Sequence, residues 1–482
     1  MEHVDVLIVG AGISGIGVAW HLQKSCPQQR YAIVEARGAI GGTWDLFRYP
    51  GVRSDSDMFT LGYPFKPWAH DRSIADGSAI RAYVQEAAAE HGIDRHIRFH
   101  HRAVSASWSS ADARWTVGFA RDDHPAPVQI SCRFLYLGAG YYRYDQGYMP
   151  QYPGISDFRG QLVHPQQWTD GIDYAGKRVV VIGSGATAVT LLPALSAKAT
   201  HVTMLQRSPT YVAALPAIDP IGLWLHRQLP PTWAFGLTRW KNLLMGMLTF
   251  VLCRRNPEAM KRLLLARVRK ALPKGYDVDR HFTPRYNPWE QRLCVAPDGD
   301  LFAAIRNGSA SVVTDQIDHF TQTGIALQSG QHLAADLVVS ATGLNLQVFG
   351  GMHLLVDGRP IDPAHTMAYK GFLFSGLPNF ASSFGYTNAS WTLKVDLTSR
   401  YLCRLLNHMQ RNGHTTCVPH NDDPGLAEMP WVDFSSGYFN RALHLLPRQG
   451  TRGPWKLHQN YLRDVWQLRF GTLDDKALRF GR

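Results

Sequence analysis

Two glycine-rich turns constrain the fold of this chain more than any other feature. Each turn follows a short, almost continuously apolar run and precedes a helical pattern, as a buried parallel strand and its crossover helix require. The first turn contains Gly10, Gly12 and Gly15, and the second contains Gly183, Gly185 and Ala188. This order predicts an α/β fold with two Rossmann-like units, each with a dinucleotide site at its first turn.

The first unit contains every part of a dinucleotide-binding fingerprint. Gly10 permits the tight turn, Gly12 lets backbone N–H groups approach a pyrophosphate, and Gly15 allows close packing of the helix. The next predicted strand ends in Glu35, twenty residues after Gly15. A carboxylate at this point accepts hydrogen bonds from ribose hydroxyls, so we expect Glu35 to contact a dinucleotide.

The second unit differs from the first at the end of its second strand. Gln206, Arg207 and Ser208 occupy the place where the first unit has an acid. A carboxylate would repel a ribose 2′-phosphate, whereas a guanidinium pairs with it. We therefore predict NADPH at the second turn, where Ala186 and Thr187 begin the helix. The alternative is that Arg207 is an ordinary surface residue at a strand end.

The cysteines exclude one class of enzyme that also has two dinucleotide sites. Disulfide reductases need two redox cysteines just beyond the first unit, but no cysteine lies between Cys26 and Cys132. The six cysteines of the chain also lack metal-ligand spacing, so no metal site is predicted, and their use fits a reducing cytoplasm. A flavin that reacts directly with oxygen or substrate remains, which predicts FAD at the first turn.

The charge balance favours an anionic ligand. The chain has 50 Lys and Arg residues against 38 Asp and Glu residues, a net charge of +12. The basic residues are spread along the chain and no nucleic-acid-binding signature occurs. We therefore expect phosphorylated cofactors, and not nucleic acid, as the partners. The sequence is compatible with an oligomer but does not indicate one.

Residues 158–168 (FRGQLVHPQQW) resemble the F-x-G-x-x-x-H-x-x-x-W fingerprint of type I Baeyer–Villiger monooxygenases. Phe158, Gly160, His164 and Trp168 occupy the matching positions, although Thr169 stands where family members have Pro or Asp. The related flavin-containing monooxygenases have an aromatic residue other than Trp at the last position, so Trp168 favours the Baeyer–Villiger class. We expect His164 and Trp168 to couple domain motion and not to transfer protons.

Other segments extend this resemblance from residue 1 to about residue 470. Residues 42–55 (GTWDLFRYPGVRSD) resemble a second family pattern, and SATG at 340–343 resembles the segment that joins the two domains. Residues 286–302 and 385–397 are similar to the branch that activates the prodrug ethionamide. The second pattern and the cofactor site predicted from it include Gly42, Thr43, Trp44 and Asp55.

The resemblance implies an FAD- and NADPH-dependent monooxygenase acting on a small ketone or sulfide. Such an enzyme inserts one oxygen atom from O2 into ketones through a C4a-peroxyflavin, giving esters or lactones, and also converts sulfides to sulfoxides. The resemblance further implies that Arg292 stabilises the anionic states of this reaction and that Asp55 orients Arg292. Family members often have Lys immediately before this Arg; here Gln291 precedes it, so more of the contact with the 2′-phosphate is expected from Arg207.

Two other functions remain open at this point. A flavin-containing monooxygenase would oxidise soft nitrogen and sulfur atoms without Baeyer–Villiger activity, and it would form sulfoxide but no ester. A peripheral membrane flavoprotein would use its flavin structurally, and it would bind liposomes without oxidising NADPH.

In chain order, the sequence predicts three regions. The FAD domain is expected at 1–145 and 345–482, the NADP domain at 150–215 and 290–340, and a helical insertion at 216–290. The insertion alternates Trp, Leu and Met with basic residues, which fits a cap on the NADP domain or a face for a membrane surface or another subunit. Its longest apolar run has eleven residues, fewer than the roughly 20 needed to span a bilayer.

A further helix is predicted to start near Ser390. Its apolar face includes Trp391, Leu393 and Val395. The positive end of such a helix would support negative charge on the flavin.

Overall fold

The computed structural model describes residues 1–121, 124–291, 293–432 and 434–482, and only the backbone of residues 124–127. Arg292, one of the predicted site residues, lies outside the described residues.

The described strands are, in chain order, β1 (Glu2–Val9), β2 (Tyr31–Val34), β3 (Ile97–Arg98), β4 (Arg102–Ser109), β5 (Arg114–Arg121), β6 (His124–Leu137), β7 (Gln161–Val163), β8 (Arg178–Ile182), β9 (His201–Gln206), β10 (Val212–Leu215), β11 (Cys294–Pro297), β12 (Ala310–Thr314), β13 (Ile317–Thr321), β14 (Gly324–Leu327), β15 (His332–Ala334), β16 (Leu337–Ser340), β17 (His353–Val356), β18 (Arg359–Ile361), β19 (Ala368–Tyr369), β20 (Leu373–Phe374), β21 (Phe380–Ser382), β22 (Thr416–Pro419), β23 (Glu428–Pro430), β24 (Arg448–Gly450) and β25 (Leu478–Gly481).

The described α-helices are α1 (Ile13–Ser25), α2 (Thr43–Leu46), α3 (Met58–Leu61), α4 (Gly77–Glu90), α5 (Ala186–Ser196), α6 (Pro220–Gln228), α7 (Pro231–Arg255), α8 (Pro257–Ala271), α9 (Val278–Phe282), α10 (Asp300–Arg306), α11 (Trp391–Asn412), α12 (Gly437–Ala442) and α13 (Tyr461–Val465). Short 3₁₀ segments lie at Asp94–His96, Ile155–Asp157, Pro165–Gln167, Val348–Gly351, Pro363–His365 and Leu443–Leu445, and a π-helical turn lies at Trp466–Phe470.

The first sheet has β6, β1 and β2 as parallel neighbours near its centre. Strand β1 is buried on both faces, because Val6 and Ile8 join one apolar layer while Leu7 and Val9 join the layer on the opposite face. This double burial explains why the sequence of β1 is almost continuously apolar. Strands β3, β4, β5 and β17 to β21 complete the sheet, so its members come from both ends of the chain.

The second sheet has five parallel strands in the order β12, β9, β8, β16 and β7. Strand β8 repeats the alternation of β1: Val179 and Val181 face one buried layer, and Val180 and Ile182 face the other. Helices α5 and α10 pack on the first side, and the antiparallel sheet β13, β14 and β15 contributes the second layer. The buried parallel strands at the centre of the first, mixed sheet and the all-parallel second sheet confirm the predicted α/β fold class with two Rossmann-like units.

Two chain segments cross between the sheets and run beside each other. The first follows β6 and the second follows β16. The Arg143 amide donates to the Asn345 carbonyl over 2.9 Å, and the Gln347 amide donates to the Tyr141 carbonyl over 3.0 Å. Because the two crossings share backbone hydrogen bonds, they form one paired connection between the two units.

The insertion is helical, as predicted, and three of its helices begin with a proline at the first position. Its packing differs from a simple cap on the second unit. Helix α8 does pack there, through Leu265 and Val268. Helix α7 instead packs against the first unit: buried Arg239 donates to the carbonyls of Phe59 and Gly62, at 2.7 and 2.8 Å. The insertion therefore contacts both units.

Candidate active site

One cavity of about 2020 Å3 reaches the carboxyl ends of β1 and β8, where ligands bind in open α/β sheets. It brings together most of the residues predicted from the two glycine turns and from residues 42–55. Predicted site residues on its wall are Gly10, Gly12, Glu35, Gly42, Thr43, Trp44, Asp55, Gly183, Gly185, Ala186, Thr187, Arg207 and Ser208. Gly15, Phe158, Gly160, His164 and Trp168 do not line it.

The first glycine turn has two glycines that the protein itself requires. Gly10 has φ +103°, and a Cβ there would lie 2.7 Å from the carbonyl oxygen of Gly138. A Cβ on Gly15 would lie 1.9 Å from the carbonyl oxygen of Gly10. The turn and the entry of α1 therefore close only without these side chains, as the fingerprint predicts.

Gly12 is different, because none of the residues that the structure describes would clash with a side chain there. Its φ is −83°, in the extended region, and a Cβ would meet its nearest atom, the Gly42 Cα, at an ordinary 3.4 Å. The residue lies on the cavity wall and precedes α1, which has no side-chain cap and no acid in its first turn. The uncapped N–H groups and the missing Cβ together leave room for an anion.

Glu35 supports the same turn from the end of β2. Its two carboxylate oxygens accept the Ala11 amide at 2.8 Å and the Arg37 amide at 2.9 Å. The side chain is buried, and burial raises its pKa above the ordinary value while these two amides oppose the rise. Glu35 therefore fixes the turn as well as facing the cavity.

The second glycine turn repeats this arrangement. Gly183 has φ +132°, and a Cβ there would lie 2.4 Å from the Ala341 carbonyl oxygen. Gly185 has φ −76°, and among the described residues no atom lies within 4 Å of a Cβ placed there. It precedes α5, which also lacks a side-chain cap and a first-turn acid. Ala188, at the position of Gly15, is fully buried, so this helix leaves room for a methyl group.

Two neighbouring residues at the end of β9 differ in their surroundings: Gln206 is buried and Arg207 is exposed. Gln206 is buried and donates to the His281 carbonyl at 2.8 Å and to the Thr314 hydroxyl at 2.9 Å. Arg207 is exposed on the cavity wall and, within the described ranges, its guanidinium makes no hydrogen bond or ion pair. The Ser208 carbonyl accepts the Ser184 hydroxyl at 2.8 Å, which ties this strand end to the second glycine turn.

Residues 42–55 connect the two turns. A Cβ on Gly42, which has φ +55°, would lie 3.0 Å from the Gly12 Cα, so the two glycines lie back to back. Further along, Gly51 lies against α5, where a Cβ would meet the Ala194 Cβ at 2.7 Å. Buried Tyr49 lies close to Thr187 at the start of α5. The segment therefore begins at the first dinucleotide turn and ends on the helix of the second.

Asp55 lies on the cavity wall near this contact. Burial raises the pKa of Tyr49 to about 12, and the negative charge of Asp55 adds to the rise. The predicted partner of Asp55, Arg292, is outside the described residues, so its role stays a prediction. The residue before it, Gln291, lies on the cavity wall.

Comparison with known proteins places this geometry in a family. A family model for flavin-binding monooxygenase-like proteins matches residues 56–226, and a model for an NAD(P)-binding Rossmann-like domain matches residues 8–69. The FAD-containing monooxygenase EthA of Mycobacterium tuberculosis is 54% identical over 482 residues, which cover all of this chain and 98% of that protein. The chain belongs to the EthA-type FAD-containing monooxygenases.

Solved structures show the same fold for this EthA-type chain. An oxidised steroid monooxygenase bound to NADP superimposes with a TM-score of 0.78 at 20% identity, over 99% of each chain. A complex of OTEMO with FAD and NADP gives a TM-score of 0.74 at 20% identity, again over 99% of each chain. Family membership confirms the prediction, made from the sequence, of an FAD-dependent monooxygenase.

The fingerprint residues of the EthA-type chain lie behind the cavity, at the paired crossings. The His164 Nε2 lies 3.0 Å from the Gly343 carbonyl oxygen, and a Cβ on Gly147 would meet the His164 ring at 2.0 Å. His164 thus touches both crossings. Gln166 adds two bonds, from its side-chain amide to the carbonyls of Arg143 and Tyr144, both at 2.8 Å.

The other fingerprint residues pack in the second unit. Phe158 contacts Phe320 edge-on with ring centroids 5.6 Å apart, and Trp168 contacts Tyr174 in the same way at 5.9 Å. A Cβ on Gly160 would lie 2.4 Å from the Phe158 ring. These contacts anchor the segment that carries His164. Coupling of domain motion by the segment remains a prediction.

Four aromatic side chains that the sequence did not single out as a group enclose one end of the cavity. Tyr141, Phe384, Trp391 and Phe439 all line it. Tyr141 lies 5.4 Å from Phe384, 5.4 Å from Trp391 and 5.9 Å from Phe439, measured between ring centroids. This aromatic chamber draws its residues from distant segments, so no local pattern predicts it.

The predicted helix start at Ser390 is confirmed, since α11 begins at Trp391 with Ser390 as its N-cap residue. The Ser390 hydroxyl is 2.7 Å from that of Thr60, and the Trp391 indole donates to the Ser14 hydroxyl at 2.8 Å. These bonds fix α11 against α1, with its first turn beside the aromatic chamber.

Arg441 is a site residue that sequence reasoning missed. It follows Phe439 on α12, lines the cavity and stacks over the Tyr148 ring, with its guanidinium carbon 3.6 Å from the ring centroid. It also donates to the Leu344 carbonyl over 3.4 Å, and burial lowers its pKa. Tyr148 and Leu344 belong to the two crossings, so α12 is tied to the same paired connection as His164.

Proposed function

We propose that this chain is an NADPH-dependent Baeyer–Villiger monooxygenase that converts ketones to esters or lactones and sulfides to sulfoxides. The observation that carries the proposal is that one cavity connects both glycine turns with an aromatic chamber. Two dinucleotides and an apolar substrate can therefore meet without leaving the protein.

FAD fits the first turn. Gly12 and the uncapped start of α1 would hold its pyrophosphate, and Glu35 would accept hydrogen bonds from its ribose hydroxyls. Gly42, Thr43 and Trp44 extend this site along the cavity wall. The described residues do not require a glycine at position 12. The absence of a Cβ there is therefore the feature that fits a bound phosphate.

NADPH fits the second turn. Gly185 and the start of α5, with Ala186 and Thr187, would hold its pyrophosphate. Arg207 would pair with the 2′-phosphate, because its guanidinium is exposed to the cavity and has no competing partner among the described residues. Ser208 lies beside it on the wall.

When bound, the flavin accepts a hydride from NADPH and activates dioxygen. The chain must then stabilise negative charge that develops after the hydride transfer. Arg292 is proposed for this task, since a guanidinium stays charged at every working pH and needs no proton transfer. Asp55 is proposed to orient Arg292 from the cavity wall. The first turn of α11 would add the positive end of a helix dipole.

The substrate is proposed to bind in the aromatic chamber. Its walls are apolar rings, which favour an apolar ketone or thioether over a charged or strongly hydrated molecule. Leu346, Val348 and Met352 add aliphatic surface to the same wall.

The test is product analysis with the FAD-loaded protein, NADPH and 18O-labelled dioxygen. A simple linear ketone and an aryl methyl sulfide are supplied in separate reactions, and NADPH oxidation, ester and sulfoxide are measured. We expect both products, each carrying one labelled oxygen atom. Sulfoxide without ester would refute the ketone oxidation and favour the N- and S-oxidising alternative. NADPH oxidation without either product would refute the substrate classes proposed.

A further inference from the structure

Helix α7 exposes an unusual amount of apolar surface. Trp233, Leu237, Trp240, Leu244 and Leu248 recur every three or four residues, and each is between 47% and 69% exposed. This spacing places them on one side of the helix. We name these five side chains the outer face.

The opposite side of α7 is apolar as well. Ala234, Phe235 and Leu243 are buried, and Arg239, the charged residue among them, is buried against backbone carbonyls. Packing against the rest of the chain therefore uses mainly the inner side and leaves every side chain of the outer face at least 47% exposed. An exposed apolar stripe of this length is the mark of an interaction surface.

Neighbouring segments extend the outer face. Trp224 on α6 is 59% exposed, and α6 packs on α7. On the other side, the Trp240 ring contacts Tyr461 with centroids 6.1 Å apart. Tyr461 begins α13, which is followed by exposed Trp466 and Phe470.

A basic region follows the outer face in sequence, and its helix contacts α7. Residues 254–274, from the end of α7 through α8, contain one acid, Glu258, and eight basic residues. Helices α7 and α8 contact each other. The basic residues are Arg254, Arg255, Lys261, Arg262, Arg267, Arg269, Lys270 and Lys274. We name them the basic flank.

Charge decides which occupant fits this surface. A second copy of the chain would bring an identical basic flank and a net charge of +12, so pairing of the two outer faces would bring like charges together. An anionic bilayer supplies the opposite charge beside an apolar phase. Trp, Leu and basic residues are also the side chains that helices place at a membrane interface.

We propose that the outer face and the basic flank form a docking surface for a bilayer containing anionic phospholipids. The outer face enters the region between headgroups and acyl chains, and the basic flank contacts the phosphates. The association is peripheral: in the part of the chain that the structure describes, no helix is both long enough and apolar enough to cross a bilayer.

The same helix lies against the cavity wall, which gives such docking a use. On the inner side of α7, Leu243 and Met247 pack against Tyr386 and Ala389. Tyr386 and Ala389 line the cavity. Docking would therefore hold the substrate cavity one helix away from the bilayer and favour bilayer-soluble ketones or thioethers; this step rests on the proposed function.

Vesicle flotation tests the docking itself. The FAD-loaded protein is mixed with vesicles of phosphatidylcholine alone, or of phosphatidylcholine and phosphatidylglycerol in equal parts. We expect it to float with the anionic vesicles and much less with the neutral ones, and added salt should weaken the binding. Equal flotation with both, or none with either, would overturn the proposal.

Two pairs of variants locate the surface. The double variant Trp233→Gln/Leu248→Gln should lower the partition coefficient by at least about tenfold, whereas Met429→Gln, an exposed apolar residue on β23, should leave it unchanged. Arg262→Glu/Lys270→Glu should lower it by a similar factor. Lys198→Glu/Lys476→Glu makes the same change in net charge elsewhere and should have much less effect.

Two further measurements separate bilayer docking from self-association of the chain and from a failure of the catalytic site. Analytical ultracentrifugation without vesicles measures the oligomeric state, and an oligomer that Trp233→Gln/Leu248→Gln dissociates would assign the surface to a second copy and overturn the proposal. Turnover is compared for a short water-soluble thioether and a long-chain one held in anionic vesicles. The outer-face variant should lower kcat/KM for the long-chain thioether only. If the wild-type protein oxidised neither thioether, the result would count against the proposed function and not against docking.

Discussion

The His164 imidazole and the Gly343 carbonyl oxygen lie 3.0 Å apart, and this bond joins the fingerprint segment to the crossing that follows β16. The other ring nitrogen, Nδ1, accepts the Gln166 amide at 3.1 Å. The ring therefore carries its proton on Nε2 and is neutral. Burial lowers the pKa of His164, in agreement with this state.

Replacing His164 tests that assignment through the pH dependence of stability. In the unfolded chain His164 takes up a proton at about pH 6.5, whereas in the folded chain it does so only at lower pH. Protonation of His164 therefore has no effect on stability well above pH 6.5, and it lowers stability as the pH falls below that value. In His164→Gln the amide can still donate to Gly343, but the Gln166 N–H loses its acceptor.

We expect His164→Gln to lower the free energy of unfolding at about pH 8 by roughly 1 to 3 kcal/mol. The loss of stability between about pH 8 and about pH 5.5 should be smaller than in the wild type, because one titrating group has been removed. Urea unfolding at the two pH values measures both quantities. If the variant and the wild type lost the same stability between the two pH values, His164 would have the same pKa in the folded and unfolded chain.

A substitution at Gly185 tests whether a ligand, and not the fold, requires a glycine at this position. A methyl group there meets no atom of the described part of the chain within 4 Å, and the φ of Gly185 suits any residue. Gly185→Ala should therefore leave the melting temperature nearly unchanged, yet raise the KM for both NADPH and NADH by about tenfold or more, because the methyl group would occupy the space of the pyrophosphate.

The matched control is Gly236→Ala, in the interior of α7, where a methyl group also meets no described atom within 4 Å. It should leave both KM values unchanged and stabilise the fold by about 0.5 to 1 kcal/mol. Thermal unfolding and steady-state kinetics of the two variants provide the comparison. If Gly185→Ala also left both KM values unchanged, no coenzyme would approach this turn closely.

The sequence predicted the parts of the site that local chemistry dictates. Gly10 and Gly183 have positive φ, and β1 and β8 are buried on both faces, so each produces a short pattern that can be recognised within a few residues. Arg207 was found in the same way, because it stands at a fixed distance from a strand end.

Contacts between distant segments could not be predicted in this way. The stacking of Arg441 over Tyr148 and the closeness of Tyr49 to Thr187 involve residues far apart in the chain, and no spacing relates them. The packing of α7 was uncertain for another reason. Both sides of this helix are apolar, so the periodicity does not say which side is buried or against which unit. The boundaries predicted for the three regions remain predictions.

The second site should distinguish NADPH from NADH through Arg207. Arg207→Ala removes a charge-assisted contact worth about 1.5 to 3 kcal/mol, so the KM for NADPH should rise by roughly tenfold or more while that for NADH barely changes. Arg207→Lys keeps the charge but loses the bidentate geometry, so its KM for NADPH should lie between those of the wild type and Arg207→Ala. Initial rates with each coenzyme measure the effect. Equal losses with both coenzymes would contradict the contact with the 2′-phosphate.

Arg292 and Asp55 should separate coenzyme oxidation from oxygen transfer. The negative charge that Arg292 is proposed to stabilise develops only after hydride transfer, so its loss should spare the earlier step. Arg292→Ala should therefore retain FAD and oxidise NADPH, yet form almost no ester and release the oxygen as hydrogen peroxide. Asp55→Ala should show a milder form of the same uncoupling, because Asp55 acts through Arg292.

The double variant Asp55→Ala/Arg292→Ala tests whether the two residues act as a unit. Its loss of ester formation should be smaller than the two single losses added together as free energies, since removing Arg292 already removes what Asp55 orients. NADPH oxidised, peroxide released and ester formed are measured in one assay for the wild type and the three variants. If the losses were additive, Asp55 would act independently of Arg292. If Arg292→Ala formed ester in the wild-type proportion to NADPH, another residue would have to stabilise the charge that follows hydride transfer.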